Sequence, residues 1–163
     1  YKPAFFTEDQ ARLVGEVAEI IIPKTTTPGA KDVGVPSFID NMLKEVYSQK
    51  DQESFIQGLI NFDEEAKKVK GNSFIECDTE EQLAFVQEQH TKAFEGGVDS
   101  GSQGWWNAGS GQEKPFILKV KELTILGFFT SQAGATEVLQ YNPVPGPFQG
   151  CVPLEKVGKA WAT

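Results

Sequence analysis

A chain of 163 residues, 39% hydrophobic and 23% charged, has an ordinary soluble globular composition and is long enough to bury one core. Its 15 Lys and Arg against 23 Asp and Glu give a net charge of −8. Because the chain also has no basic cluster, this charge argues against binding to nucleic acid or to an anionic membrane surface. The longest apolar runs fall far short of the roughly 20 residues that a bilayer-spanning helix needs, so we expect no direct membrane span.

Two amphipathic helices are predicted in the first 50 residues. Thr7 and Gln10 have the spacing of a capping box, which predicts a helix over residues 7–22 that Pro23 stops. A loop follows, and Pro36 suits the first turn of the second helix.

Two more helices follow before residue 98. Asp51 is the predicted cap of the third helix and Gly71 its C-terminal glycine. Asp78 and Thr79 each begin a possible capping box for the fourth helix, which ends at Gly96-Gly97. The apolar positions expected on the inner faces of the four helices are Leu13, Val14, Val17, Ile20, Ile21, Phe38, Ile39, Met42, Leu43, Val46, Phe55, Leu59, Phe62, Ala66, Val69, Leu83, Val86, His90, Ala93 and Phe94.

The Gly- and Ser-rich residues 98–113 are interpreted as a flexible excursion within one domain. They contain Trp105 and Trp106, which have two possible roles. They either fold back over the helices or anchor a partner, since Trp is enriched at interface hot spots.

An apolar run at 116–129 predicts a central helix, hydrophobic all round and therefore buried all round. A break at 130–135 and a helical turn at 136–141 follow, and 142–163 form an extended Pro- and Gly-rich tail. The fold class expected for residues 1–163 is all-α: a single-domain bundle of about five helices.

Catalytic machinery is not evident in the sequence. His90 is the only histidine, and its position in an apolar stripe favours a core residue over a base or ligand. Nucleotide, haem and metal motifs are missing. We therefore predict no catalytic, cofactor-binding or metal site in this chain, and no enzyme activity of its own.

The two cysteines, Cys77 and Cys151, leave three alternatives open. They pair with each other, closing a loop worth on the order of 4 kcal/mol; one pairs with another subunit; or both are buried thiols. The Pro- and Gly-rich surroundings of Cys151 favour a disulfide for it, either to Cys77 or to a partner.

Three segments resemble signatures of the gluconate 2-dehydrogenase subunit 3 family. The first comprises AEIIIP at 18–23 and PGAKDVGVPSFID at 28–40, and the second is LTILGFFTS at 123–131. The third comprises Tyr141, Pro145-Gly146 and Gly150-Cys151. The three occur in the family's order and span most of the chain, and residues 98–113 match no family motif.

The resemblance implies a non-catalytic accessory subunit of a periplasmic sugar or polyol dehydrogenase complex. In that family a glucose–methanol–choline-type flavoprotein carries FAD and oxidises the substrate, and a c-type cytochrome often accepts the electrons. The small subunit typically carries a twin-arginine export signal and helps to export and stabilise the flavoprotein. No twin-arginine segment occurs here; the start at Tyr1 would fit its removal, a cloning boundary or upstream disorder.

The alternative function is a free-standing helical protein-binding domain with no redox partner. Under either function, contact with a partner is expected from aromatic and tail residues. The predicted interface residues are Trp105, Trp106, Tyr141, Pro145, Phe148 and Cys151.

Overall fold

The computed structural model describes residues 1–95, 114–141, 144, 146, 147 and 150–162. As predicted, the fold is all-α. Five helices of 11 residues or more run in the order α1 (Glu8–Ile21), α2 (Val35–Glu45), α3 (Gln49–Lys70), α4 (Thr79–Glu95) and α5 (Phe116–Phe129). Shorter elements are a 3₁₀ turn (Phe74–Glu76), a π-helical turn (Gly134–Val138) and α6 (Leu154–Val157).

Helix α5 is the hub of the bundle, and its predicted bounds are confirmed. Each of α1, α2, α3 and α4 packs against it. Eight of its 14 residues are buried, including Leu118, Val120 and Phe128. Such a helix gains its stability from the apolar surface that its neighbours remove from water.

Phenylalanine rings connect the inner ends of α3, α4 and α5. Phe62 of α3 lies 5.0–5.3 Å, centroid to centroid, from Phe74, Phe85 and Phe116. All four rings are at least nine-tenths buried. Edge-on and tilted pairs of this kind add to the energy of burial and fix the relative positions of the helices.

The first family-like segment forms a loop held by one carboxylate. Glu19 of α1 accepts hydrogen bonds from the backbone N–H groups of Lys24 (3.0 Å) and Lys31 (2.8 Å). A Cβ atom on Gly29 would collide with the Glu19 carboxylate and would lie 2.7 Å from the backbone nitrogen of Lys24, so only glycine fits there. The loop thereby carries the chain from α1 into α2 in a conformation that the Glu19 carboxylate fixes.

Asp40, at the end of that segment, fastens the N-terminus to α2. Its fully buried carboxylate accepts hydrogen bonds from the backbone N–H groups of Ala4 (2.7 Å), Phe5 (3.1 Å) and Phe6 (2.8 Å). Three amide donors compensate for the loss of hydration that burying a carboxylate entails.

Several local predictions are confirmed and others are wrong. The capping box of Thr7 and Gln10 and the C-terminal Gly71 are confirmed. Ser48, not Asp51, caps α3: the Asp51 N–H donates to the Ser48 hydroxyl, so the helix starts earlier than predicted. Four residues predicted on inner faces are 42–67% exposed, because they lie at the margins of their apolar stripes: Val46, Val69, Leu83 and Phe94.

The end of the chain differs from a simple extended tail. It forms α6 and returns to the π-helical turn, where Gln140 accepts from the Ala162 N–H and donates to the Ala160 carbonyl, both at 2.9 Å. The Lys159 ammonium also donates to the Glu137 carbonyl at 2.6 Å. The described tail is therefore tied at its far end, and residues 151–156 between these ties are exposed.

Candidate partner interface

One side of α5 is apolar but uncovered by the described residues. Ile125 is 39% exposed, Leu126 46% and Phe129 38%. These three residues, here called the α5 face, lie on one arc of the helix, at spacings of three and four residues. The prediction that α5 is buried all round is therefore wrong for its second half, where no described element packs over this arc.

Close packing on the opposite side holds the α5 face in position. A Cβ atom on Gly127 would lie 2.6 Å from Cδ1 of Phe38, so α2 and α5 approach as closely as they do only because residue 127 is glycine. Beyond the helix end, the Ser131 hydroxyl donates to the Phe128 carbonyl (2.6 Å) and accepts from the Gly134 N–H (3.0 Å). The α5 face is thus part of a rigid helix with an ordered end.

A cleft of about 440 Å³ lies between α1, α4 and α5. We call it the α1/α4/α5 cleft. It borders the α5 face, since Ile125 follows the lining residue Lys121 by one helical turn. The residues that line it are Ile20, Ile21, Leu83, Val86, Gln87, His90, Thr91, Ile117 and Lys121.

His90 lies at the polar end of this cleft, half-buried rather than in the core. Its Nε2 is 2.8 Å from the Lys121 ammonium nitrogen, and its ring centroid is 4.7 Å from that of Phe94. Burial, and secondarily the charge of Lys121, lower the pKa of His90 below its usual 6.5. The ring is therefore neutral at pH 7 and Nε2 accepts a hydrogen bond from Lys121.

A second cleft, of about 460 Å³, lies between α3, α4 and the start of α5. It is lined largely by polar and charged side chains such as Asn61, Glu65 and Lys92. The Lys92 ammonium bridges Glu65 (3.1 Å) and Glu88 (2.9 Å), so the charge of Lys92 is paired within the chain. Exposed pairs of this kind contribute little to stability.

A disulfide between Cys77 and Cys151, one of the three alternatives, is not present in the structure. Both thiols are free; Cys77 is buried, and its Sγ donates to the Ser73 carbonyl at 3.4 Å, whereas Cys151 is exposed. Burial raises the pKa of Cys77, which lowers its thiolate fraction and its reactivity. In this structure one thiol is turned into the bundle and the other lies on the surface.

The other predicted interface residues are placed only in part. Tyr141 is 61% exposed, just beyond the π-helical turn. Trp105, Trp106, Pro145 and Phe148 lie outside the described residues. Sequence reasoning missed the α5 face, because apolar residues on every side of a helix give no sign of which side stays open.

The described residues offer little for metal binding or membrane insertion. They contain no group of three or more His, Cys, Asp or Glu side chains that could hold a metal ion. Of the helices in the described ranges, none has both the length and the apolar composition that crossing a bilayer requires.

Comparison with known proteins identifies one family. The family model described as gluconate 2-dehydrogenase subunit 3 matches residues 8–146. The match runs from the start of α1 through α5 and the π-helical turn, and it ends before Gly150 and Cys151. No curated protein and no solved structure matches the chain significantly.

Proposed function

Since the chain belongs to the gluconate 2-dehydrogenase subunit 3 family, and thus to the subunits of a dehydrogenase complex, we propose that it binds the catalytic flavoprotein of that complex through the α5 face. In this proposal the chain is non-catalytic. The partner, a glucose–methanol–choline-type subunit, carries FAD and oxidises a sugar or polyol, and a c-type cytochrome accepts the electrons.

The α5 face is the observation that carries the proposal. Large apolar side chains exposed together on a rigid helix are typical of surfaces that a partner covers. The face lies within residues 123–131, inside the matched range, and Ile125 is one helical turn from Lys121, which lines the α1/α4/α5 cleft. An obligate subunit interface resembles a domain core cut in half. Helix α5 resembles such an interface, because it is buried on one side and exposes large apolar side chains on the other.

The proposal assigns the chain two tasks. It stabilises the folded flavoprotein, because an interface that binds only the folded state shifts its unfolding equilibrium. It also accompanies the flavoprotein through twin-arginine export to the periplasm. Deleting the gene for this chain should then leave the flavoprotein in the cytoplasm and lower its melting temperature, and restoring the gene should reverse both effects.

The direct experiment is purification of the full chain from its native host through a small affinity tag. A yellow protein with bound FAD should co-elute in fixed stoichiometry, and sugar-dependent dye reduction should stay with the complex and not with the isolated chain. A lone monomer on size-exclusion chromatography would support the free-standing binding domain instead. Turnover by the isolated chain would contradict the non-catalytic assignment.

The exposed Cys151 adds a covalent element to the proposal. We expect it to form a disulfide with the flavoprotein, because its thiol is exposed on a tail that is tied to the bundle at its far end. On a non-reducing gel the complex should run as one band that Cys151→Ser resolves into two, whereas Cys77→Ser should leave it unchanged. Two bands for the unmodified complex, with a free thiol at Cys151, would contradict the disulfide.

A further inference from the structure

The α1/α4/α5 cleft combines an apolar wall with an ammonium group. Its aliphatic lining comes from three helices: Ile20 and Ile21 of α1, Leu83 and Val86 of α4, and Ile117 of α5. Lys121 lines the same cleft, half-buried, with its Nζ 5.4 Å from the centre of the Phe94 ring. An apolar cleft with one convergent charge is suited to an amphipathic group of opposite charge.

The charge of Lys121 is not neutralised by the described part of the chain. Its ammonium has three N–H donors, and one is directed at the neutral Nε2 of His90. Among the described residues, no carboxylate lies within 4.0 Å of that nitrogen. Many other lysines do have such a partner: Lys24, Lys31, Lys44, Lys67, Lys92 and Lys114.

From this arrangement we infer that the α1/α4/α5 cleft receives an acidic side chain of the catalytic subunit and the apolar residue beside it, with the carboxylate bound by Lys121. The inference rests on the proposed function and names the chemistry of the contact. A cleft of about 440 Å³ has room for a pair of side chains rather than a helix. The neighbouring α5 face lets one partner cover both.

Because the chain has a net charge of −8, Lys121 can attract a carboxylate only at short range. Since the field of the whole chain is negative, it does not attract a carboxylate from a distance, so Lys121 does little to speed the encounter. A desolvated ion pair instead slows dissociation, because truncating one member leaves the other buried and unpaired. Loss of Lys121 should therefore raise the dissociation rate and leave the association rate nearly unchanged.

The test measures binding of the full chain to the purified flavoprotein by surface plasmon resonance. Lys121→Met, which keeps most of the apolar stem, should weaken binding about tenfold, and Lys121→Glu about a hundredfold. Lys121→Arg should stay within about threefold. The matched control is Lys68→Glu, an exposed α3 lysine with no carboxylate in ion-pair range, which should bind like the unmodified chain. Circular dichroism and the melting temperature show that each variant is folded.

The outcomes separate the inference from the proposed function. Wild-type binding with equally tight binding of Lys121→Glu overturns the inference and leaves the proposed function intact. Failure of the unmodified chain to bind the flavoprotein overturns both. Lys121-dependent binding of decanoate to the isolated chain, with unimpaired assembly of Lys121→Glu, assigns the cleft to a small amphipathic acid and also overturns the inference. So does a Lys121-dependent dimer of the isolated chain.

Discussion

The two halves of α5 are similarly hydrophobic but differ in how much of their surface the other helices cover. Residues 116–123 lie among the other helices, and their large apolar side chains, including Leu118 and Val120, are buried. Residues 124–129 are just as apolar, yet Ile125, Leu126 and Phe129 are 38–46% exposed. The difference shows that two equally hydrophobic segments can differ in burial. Hydrophobicity indicates that a side chain is more stable when buried, but only the packing of the helices shows whether this chain buries it.

The second half of α5 therefore has two sides with two roles. Gly127 and Phe128 face inward and fix the helix against the bundle, while the α5 face is exposed and is the proposed docking surface. Both sides fall within one family-like segment, residues 123–131. The fold of this chain explains its inward side, and the proposed function would explain its exposed apolar side.

The largest expected effect comes from making the same substitution in both halves. Leu118→Ala removes a side chain that is 1% exposed and should lower the free energy of unfolding by about 3 kcal/mol, through lost burial and a cavity. Leu126→Ala should lower it by less than about 1 kcal/mol in the isolated chain. Urea denaturation measures both. Equal losses would mean that the α5 face is covered in solution.

A smaller loss of stability is expected when Asp40, whose carboxylate fastens the N-terminal segment to α2, is replaced. Asp40→Ala leaves three backbone N–H groups without their acceptor and should cost about 2 kcal/mol. Asn41→Ala, at the exposed neighbouring position, is the control and should be nearly neutral. A neutral Asp40→Ala would show that the N-terminal segment contributes nothing to stability.

Gly127→Ala tests how tightly the inner side of the second half is packed. The added methyl group collides with the Phe38 ring, which outweighs the better helix propensity of alanine, so a net loss of about 1 kcal/mol is expected. In a Phe38→Leu background the loss should shrink or reverse. A stabilising Gly127→Ala in the unmodified chain would contradict the close contact of α2 and α5.

The smallest effect concerns pH. The folded pKa of His90 is below 6.5, so between that pKa and 6.5 the unfolded chain binds more protons. The stability due to neutral His90 is complete above pH 6.5 and is lost as the pH falls toward the folded pKa. His90→Asn should flatten the slope of stability against pH in this window. An unchanged slope would mean that His90 is solvated in the folded chain and does not contribute to the slope. The carboxylates of Asp32, Glu65 and Glu76, whose pKa values are lowered, change the stability only at lower pH.

Sequence patterns predicted the helices well because helices here depend on local signals. Thr7 with Gln10, Gly71 and the apolar run at 116–129 each specify an element through neighbours in the chain. The family was likewise recognisable from contiguous segments. The contact between His90 and Lys121 was not predictable, because it depends on how α4 packs against α5. The α5 face was not predictable either, because it depends on which side of α5 the other helices leave uncovered.

Photo-crosslinking at position 126 tests the central claim most directly. The photoreactive residue p-benzoylphenylalanine replaces Leu126 in the full chain, with position 68 on α3 as the control, and the complex is irradiated after assembly in the native host. If the α5 face is the docking surface, position 126 crosslinks to the FAD-containing subunit and position 68 does not. Intact complex without a crosslink from position 126 would contradict the assignment of the α5 face as the docking surface.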